Sequence, residues 1–347
     1  MGRAKPLQAA LKRSFTGLLH PGNRSATGPR DRPLVPTTPH LLARPIGARR
    51  RMGDRVAEFA IAASALATVT GIVLVFVFVL REALPVLTNP EVMKEANPAK
   101  FFGPGPWQPV SDLPRYAFAP LLVGMFKATL VAVVTAVPIA VLAALYTSEF
   151  APRAAREFLK PVVELLAGIP SVVLGFFALI VLASVVQGVT GSQSRLNALN
   201  AGLALGFAIM PVVYSVSEDA LRAVPRSYRE ASLALGASPW QTAFRVTLPA
   251  AWAGIFAAVM LGVGRAVGET MIVLMASGNA ALVSLPLTDS VRTLSATIAA
   301  ELAEVVVGSP HYATLFFIGT LLFAVTFVLN VLAGLMVDRM RRHLAGA

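Results

Sequence analysis

Six stretches of this chain run for twenty residues or more with almost no charge: 56–80, 117–147, 162–186, 198–217, 250–276 and 313–337. The hydrocarbon core of a bilayer, about 30 Å thick, takes about 20 mainly apolar residues as a helix. The cores 59–80, 128–148 and 313–337 contain no charged residue at all. Backbone groups in lipid must pair within the segment, so the pattern predicts six transmembrane helices. The period-two alternation of a membrane barrel is absent. The expected fold class is an all-α integral membrane protein. Helix breakers punctuate the spans. Pro138 interrupts the second, Gly168-Ile169-Pro170-Ser171 opens the third just after Glu164, and Pro211 lies in the fourth. Breaks are tolerated where protein or a water-filled cavity replaces lipid, so Glu164, Gly168 and Pro170 form a candidate gate or kink. For Pro211 the plainer account is that proline is common in membrane helices.

The connections differ in kind. Residues 81–116 hold seven prolines and read as an irregular cap. Residues 290–307 are amphipathic, with Glu301 and Glu304 on one side, and predict short helices lying at the outer surface. Residues 218–249 predict two short helices. One covers 228–235 and stops at Gly236; the other is started by Ser238-Pro239 and carries Trp240 and Phe244.

Composition narrows the class. Apolar residues make up 56% and charged residues 14%, against about 25% charged in a soluble domain. Too few charges remain to cover a soluble globule, and the apolar content excludes a disordered chain. With no cysteine there are no disulfides, thiolate metal sites or cysteine nucleophiles. His20, His40, His311 and His343 lack metal-ligand spacing, so no cofactor or metal is expected.

The formal net charge of +12 sits mainly at the front, where residues 1–55 hold twelve Lys/Arg and two Asp. This reads as a disordered cytoplasmic leader drawn to anionic membrane lipid, rather than a nucleic-acid arm or a cleavable signal. If the leader is cytoplasmic, 22 of the 30 Lys/Arg fall on cytoplasmic segments and 6 outside, with Lys127 and Arg265 inside spans. That asymmetry places both termini in the cytoplasm.

Arg265 and Glu269 are four residues apart in the fifth span. An arginine at the bilayer centre costs about 2.5–3.5 kcal/mol or more, so it should face the bundle interior. At 100° per residue Gly254, Ala258, Gly262, Arg265 and Glu269 share one helical face. Two accounts stand side by side. The pair could neutralise itself so that the helix inserts. Alternatively it could line an anion path, since a guanidinium offers bidentate donors to an oxyanion and keeps its charge.

The loop at 218–249 carries a resemblance. It reads Glu230-Ala231-Ser232, three residues, Gly236, nine residues, Val246-Thr247-Leu248-Pro249. This is similar to the EAA loop of ABC importer permeases (EAA, three residues, Gly, nine residues, Ile-x-Leu-Pro), with Ser232 for the second Ala and Val246 for Ile. The resemblance implies that Glu230, Ala231 and Gly236 couple the chain to a separate ATPase subunit dimer. No Gly-x4-Gly-Lys-Ser/Thr loop is present, so the chain has no ATP site of the usual kind.

A narrower resemblance covers most of 117–340. Glu164-Leu-Leu-Ala-Gly-Ile-Pro-Ser-Val-Val, Gly264-Arg265-Ala-Val-Gly268-Glu269-Thr-Met and Thr297-Ile-Ala-Ala-Glu301 look like the phosphate-specific (Pst) importer permeases. The third of these, with Asn330 in the closing span, favours the PstC type. The resemblance implies the type I ABC importer permease fold and a non-enzymatic transporter subunit in the cytoplasmic membrane. It also implies a PstA-like second permease and an external phosphate-binding protein as partners. The chain then divides into a leader (1–55), a first helix with its outer loop (56–116) and a permease core (117–340). Alternatives are a permease for sulfate or molybdate, or a membrane sensor or scaffold that keeps the fold without transport.

Overall fold

The computed structural model describes residues 52–103 and 105–345; the leader expected at 1–55 falls almost wholly outside them. The chain divides into two units, Met1–Ala65 and Leu66–Ala347. Secondary structure is almost wholly helical. Five helical spans are long and apolar enough to cross a membrane, and a bent pair makes a sixth.

The first helix, α1 (Met52–Ala83), continues through α2 (Pro85–Thr88) and α3 (Pro90–Glu95) into the cap. The cap is more ordered than its prolines suggest. Asn89 and Asn97 each accept a hydrogen bond from a backbone N–H two residues on. A two-stranded ribbon pairs β1 (Trp107–Gln108) with β2 (Arg115–Tyr116). Val86, Val92, Phe101, Trp107, Tyr116 and Phe118 are buried together. Here the prolines start helical turns, where a missing N–H costs nothing.

The second span, α4 (Ala119–Leu145), is one continuous helix despite Pro138, so the expected interruption does not occur. It ends in a widened turn, Tyr146–Phe150, with i→i+5 bonding. The third span begins later than expected. Residues 162–167 belong to a separate amphipathic helix, α5 (Arg153–Ala167), none of whose residues is buried. The crossing helix starts at Ser171, as α6 (Ser171–Phe177), a second widened turn (Ala178–Leu182) and α7 (Ala183–Thr190). Hydropathy merged the two because the apolar side of α5 runs straight into α6.

Helix α8 (Ala198–Arg222) is the centre of the bundle, and small residues let its neighbours approach. A side chain at Gly202 would collide with Val131 of α4, 2.5 Å from its Cβ position. Beyond α8 come α9 (Arg226–Ala234), α10 (Pro239–Thr242), a third widened turn (Ala243–Thr247), α11 (Leu248–Ala250) and α12 (Trp252–Gly268). The chain turns by 67° between the segments Pro239–Ala250 and Trp252–Gly268. The expected fifth span, 250–276, is therefore a 17-residue helix that stops at Gly268, with α13 (Met271–Ala276) a separate piece.

On α12, Gly254 and Gly262 face α8, where a Cβ would meet Ala220 and Val213. The outer segment 290–307 also differs from expectation. It forms α14 (Leu294–Glu301), whose first turn, Leu294 to Thr297, is buried rather than lying on the surface. The closing span is α15 (Pro310–Ala345).

Candidate functional site

The loop at 218–249 folds as two short helices hinged at one glycine. Gly236 has φ +83, in the left-handed region. Its N–H donates to the Leu233 carbonyl, and Ala237 N–H to that of Ser232, closing the end of α9. Ser238 then opens α10 with a reciprocal capping box to Gln241, and Pro239 follows in the first turn. Across the hinge the Ser232 and Thr242 hydroxyls are 2.9 Å apart, so the serine in the second alanine position cross-links the two arms.

Trp240 packs against Phe244 with ring centroids 4.2 Å apart and tilted planes, and approaches Phe150 at 5.8 Å. Glu230, Ala231 and Gly236 are all exposed, and a Cβ at Gly236 would meet nothing. Leu235 is 90% exposed and Trp240 62%. An apolar, water-facing edge on a rigid base is a surface suited to a protein partner.

The base is built by arginines that the sequence did not single out. Arg229 grips the Glu149 carboxylate with two nitrogens (2.8 and 3.1 Å) and also donates to the Leu221 and Val224 carbonyls. Arg156 donates to the carbonyls of Thr147 and Ser148. A widened turn leaves carbonyls without their usual i+4 partner, and these two belong to the turn that ends α4. A comparable arrangement ties Arg195 to Leu179 and Ile180 in the second widened turn. The signal in sequence would have been a lone arginine beside each span end, which positional patterns do not resolve.

Within the membrane the expected pair does not form. Helix α12 ends at Gly268, and Glu269 is already extended (ψ 133). Its carboxylate accepts from the Thr270 N–H, and its backbone carbonyl from the Ser295 hydroxyl. Arg265, in the last turn of α12, is exposed and makes no hydrogen bond or ion pair with the described residues. It shares an open face with Leu261 and Gly268. The side facing α8 is taken by Gly262 and Ala266 instead, so Arg265 does not point into this chain's own bundle. At the third-span break, Gly168 closes α5 by donating to the Leu165 carbonyl and Pro170 starts the next helix. Glu164 is exposed on α5. The break is thus a junction between an amphipathic helix and a span, at a distance in sequence from Arg265.

On the other side of the membrane Glu301 is a hub. Its carboxylate takes Arg292 and His311 at 2.8 Å each and the Trp107 indole N–H at 3.1 Å. It therefore joins the cap, the buried helix α14 and the start of α15. Burial alone would raise its pKa, but the bonds from His311, Arg292 and Trp107 outweigh burial and hold it below the usual glutamate range. A carboxylate held lower in the folded state contributes stability above its unfolded pKa, about 4.3. That stability is lost as pH falls through the folded value. Acidification below about pH 4 is expected to loosen the cap, read as a change in Trp107 fluorescence that Glu301→Gln removes. An unchanged acid transition in the variant would show that Glu301 is not the titrating hub.

Residues 136–342 match the family described as the binding-protein-dependent transport system inner membrane component. The probable ABC transporter permease protein YqgH of Bacillus subtilis is 35% identical over 236 residues, covering 68% of this chain and 76% of that protein. The phosphate transport system permease protein PstC 2 of Mycobacterium tuberculosis is 32% identical over 318 residues, covering 86% and 95%. PstC 1 of the same organism is 37% identical over 250 residues, covering 65% and 74%. Among solved structures, a bacterial alginate ABC transporter bound to its alginate-loaded periplasmic protein shares the fold. Its TM-score is 0.58 at 15% identity, over 84% of this chain and 98% of that one. Together with the helical spans, these matches mean that the chain is a multi-pass ABC importer permease and belongs to the family of inner-membrane components of binding-protein-dependent transport systems.

Proposed function

We propose that this chain is the PstC-type membrane subunit of an ATP-driven importer for inorganic phosphate. It pairs with a PstA-like second permease, receives phosphate from an external binding protein, and is driven by a separate ATPase dimer docked on the loop at 218–249. The observation that carries this reading is Arg265, exposed on an intramembrane helix and unpaired among the described residues. A guanidinium left facing lipid would cost several kcal/mol, so its face needs a second membrane subunit or a water-filled path. Its position in the last turn of α12 lends it some support from the helix C-terminus, but that does not supply a counter-ion. A permanent, forked cation on the surface between two subunits suits an oxyanion better than a neutral solute. The PstC-named relatives point to the same substrate.

The loop side of the membrane is read as cytoplasmic, with both termini there, because that assignment puts most of the Lys/Arg inside. The deciding measurement is uptake of radiolabelled phosphate into vesicles that hold the permease pair and the ATPase, supplied with the binding protein. Unlabelled phosphate should compete, and sulfate or molybdate should not. Competition by sulfate or molybdate alone would move the assignment to another oxyanion, and ATPase stimulation without uptake would favour a sensor.

A further inference from the structure

Two cavities lie next to each other at the loop-side end of α4. The first is an apolar groove of about 740 Å³ between α4, α5, α6 and α8. Its walls include Ala143, Leu159, Val163, Phe177, Phe207 and Met210. Such a lining offers almost no donors to a transported oxyanion. The second is a polar pocket of about 550 Å³ lined by Arg156, Arg222, Arg226 and Arg229, together with Ser148, Glu149 and Glu230.

The two share structure. Tyr146 and Thr147 line the groove while the next two residues, Ser148 and Glu149, line the pocket. Arg156, Leu159 and Val163 lie on one face of α5, the first in the pocket and the others in the groove. Arg156 bonds the carbonyls of Thr147 and Ser148 and so stands at the junction.

Charge in the pocket is unevenly committed. Arg229 is engaged by Glu149, and Arg222 by Glu218 of its own helix. Arg226 is exposed and has no ion pair or hydrogen bond among the described residues. It sits at the foot of the span Ala198–Arg222, where a headgroup phosphate would lie. An apolar slot beside a cationic pocket at a membrane boundary has the shape and charge of one amphiphile. We infer that the groove and pocket together bind a phospholipid with an anionic headgroup, its acyl chain along α5 and α8 and its phosphate on Arg226. The site is independent of which substrate is transported. Arg226 and Arg229 belong to the loop that carries Gly236, so the bound lipid would contact that loop directly.

The test is titration of the full chain, purified in a neutral detergent, with phosphatidylglycerol and with phosphatidylcholine, the bound lipid being counted by native mass spectrometry. Phosphatidylglycerol should bind at least several-fold tighter. Arg226→Gln should lower its affinity about fivefold and leave phosphatidylcholine unchanged. Ala143→Phe, which fills the groove, should weaken both lipids. Helicity by circular dichroism and the elution position check that the variants remain folded, and Arg226→Lys, which keeps the charge, should retain the preference. Equal binding of the two lipids, or indifference to Arg226→Gln, overturns the inference. Binding of inorganic phosphate alone that survives Ala143→Phe also overturns it, because the pocket would then be a free-anion site.

Discussion

Replacing Arg265 by Gln is expected to reduce phosphate uptake by about a hundredfold or more, the order seen when one preorganised hydrogen-bond donor is removed from a transition state. The subunit should still reach the membrane at normal levels. The geometry sharpens the expectation. Arg265 forms no ion pair with Glu269, and the helix ends between them. Removing the guanidinium therefore strands no buried partner charge in this chain, and its loss has little reason to unfold the bundle. Arg265→Lys keeps the charge but loses the fork, and is expected to fall between the two, roughly tenfold down. Glu269→Gln should be milder, since its carboxylate bonds only the adjacent Thr270 N–H. The measurements are vesicle uptake and membrane abundance of each variant. Recovery of full uptake in a double variant with Leu at both positions would sink the anion-path reading, because a leucine cannot bind an oxyanion.

Gly236→Asp is expected to cut ATP-driven uptake at least tenfold while the protein still inserts. Gly236 is in the left-handed region, which costs most side chains about 1–2 kcal/mol but is tolerated better by Asn and Asp. No described residue lies within 4 Å of its Cβ position, so the new side chain would meet only a partner docked there. Asn at the same position separates the causes. It accepts the same backbone conformation without a charge, and should retain more coupling than Asp if the carboxylate is desolvated against the ATPase. Co-purification of the ATPase with each variant is the readout, alongside uptake. Wild-type uptake and normal co-purification with Asp would remove Gly236 from the docking surface.

Much of this molecule was legible one segment at a time. Length without charge identifies a span, because the bilayer is a uniform solvent and each residue's transfer cost adds. The two short helices at 218–249 were legible for a similar reason: a cap, a stop glycine and helix formers are local signals, and Arg226–Ala234 and the Ser238 capping box follow them. Side-chain partnerships across the fold were not legible. Glu301 meets Trp107 from 194 residues away, and Arg229 meets Glu149 from 80.

The errors have the same origin. A straight wheel put Arg265 and Glu269 on one face, but the wheel assumes a helix that continues, and α12 stops at Gly268. The join of α5 to α6 misled hydropathy because an amphipathic helix contributes an apolar stripe whichever way it faces. By itself the sequence determined the membrane class, the count of spans and the place of the glycine hinge at 236, all set by local composition and backbone preference. Only the tertiary structure decided which charges are paired, which face of α12 is open and where helices end. Those depend on which distant groups reach one another once the helices have packed.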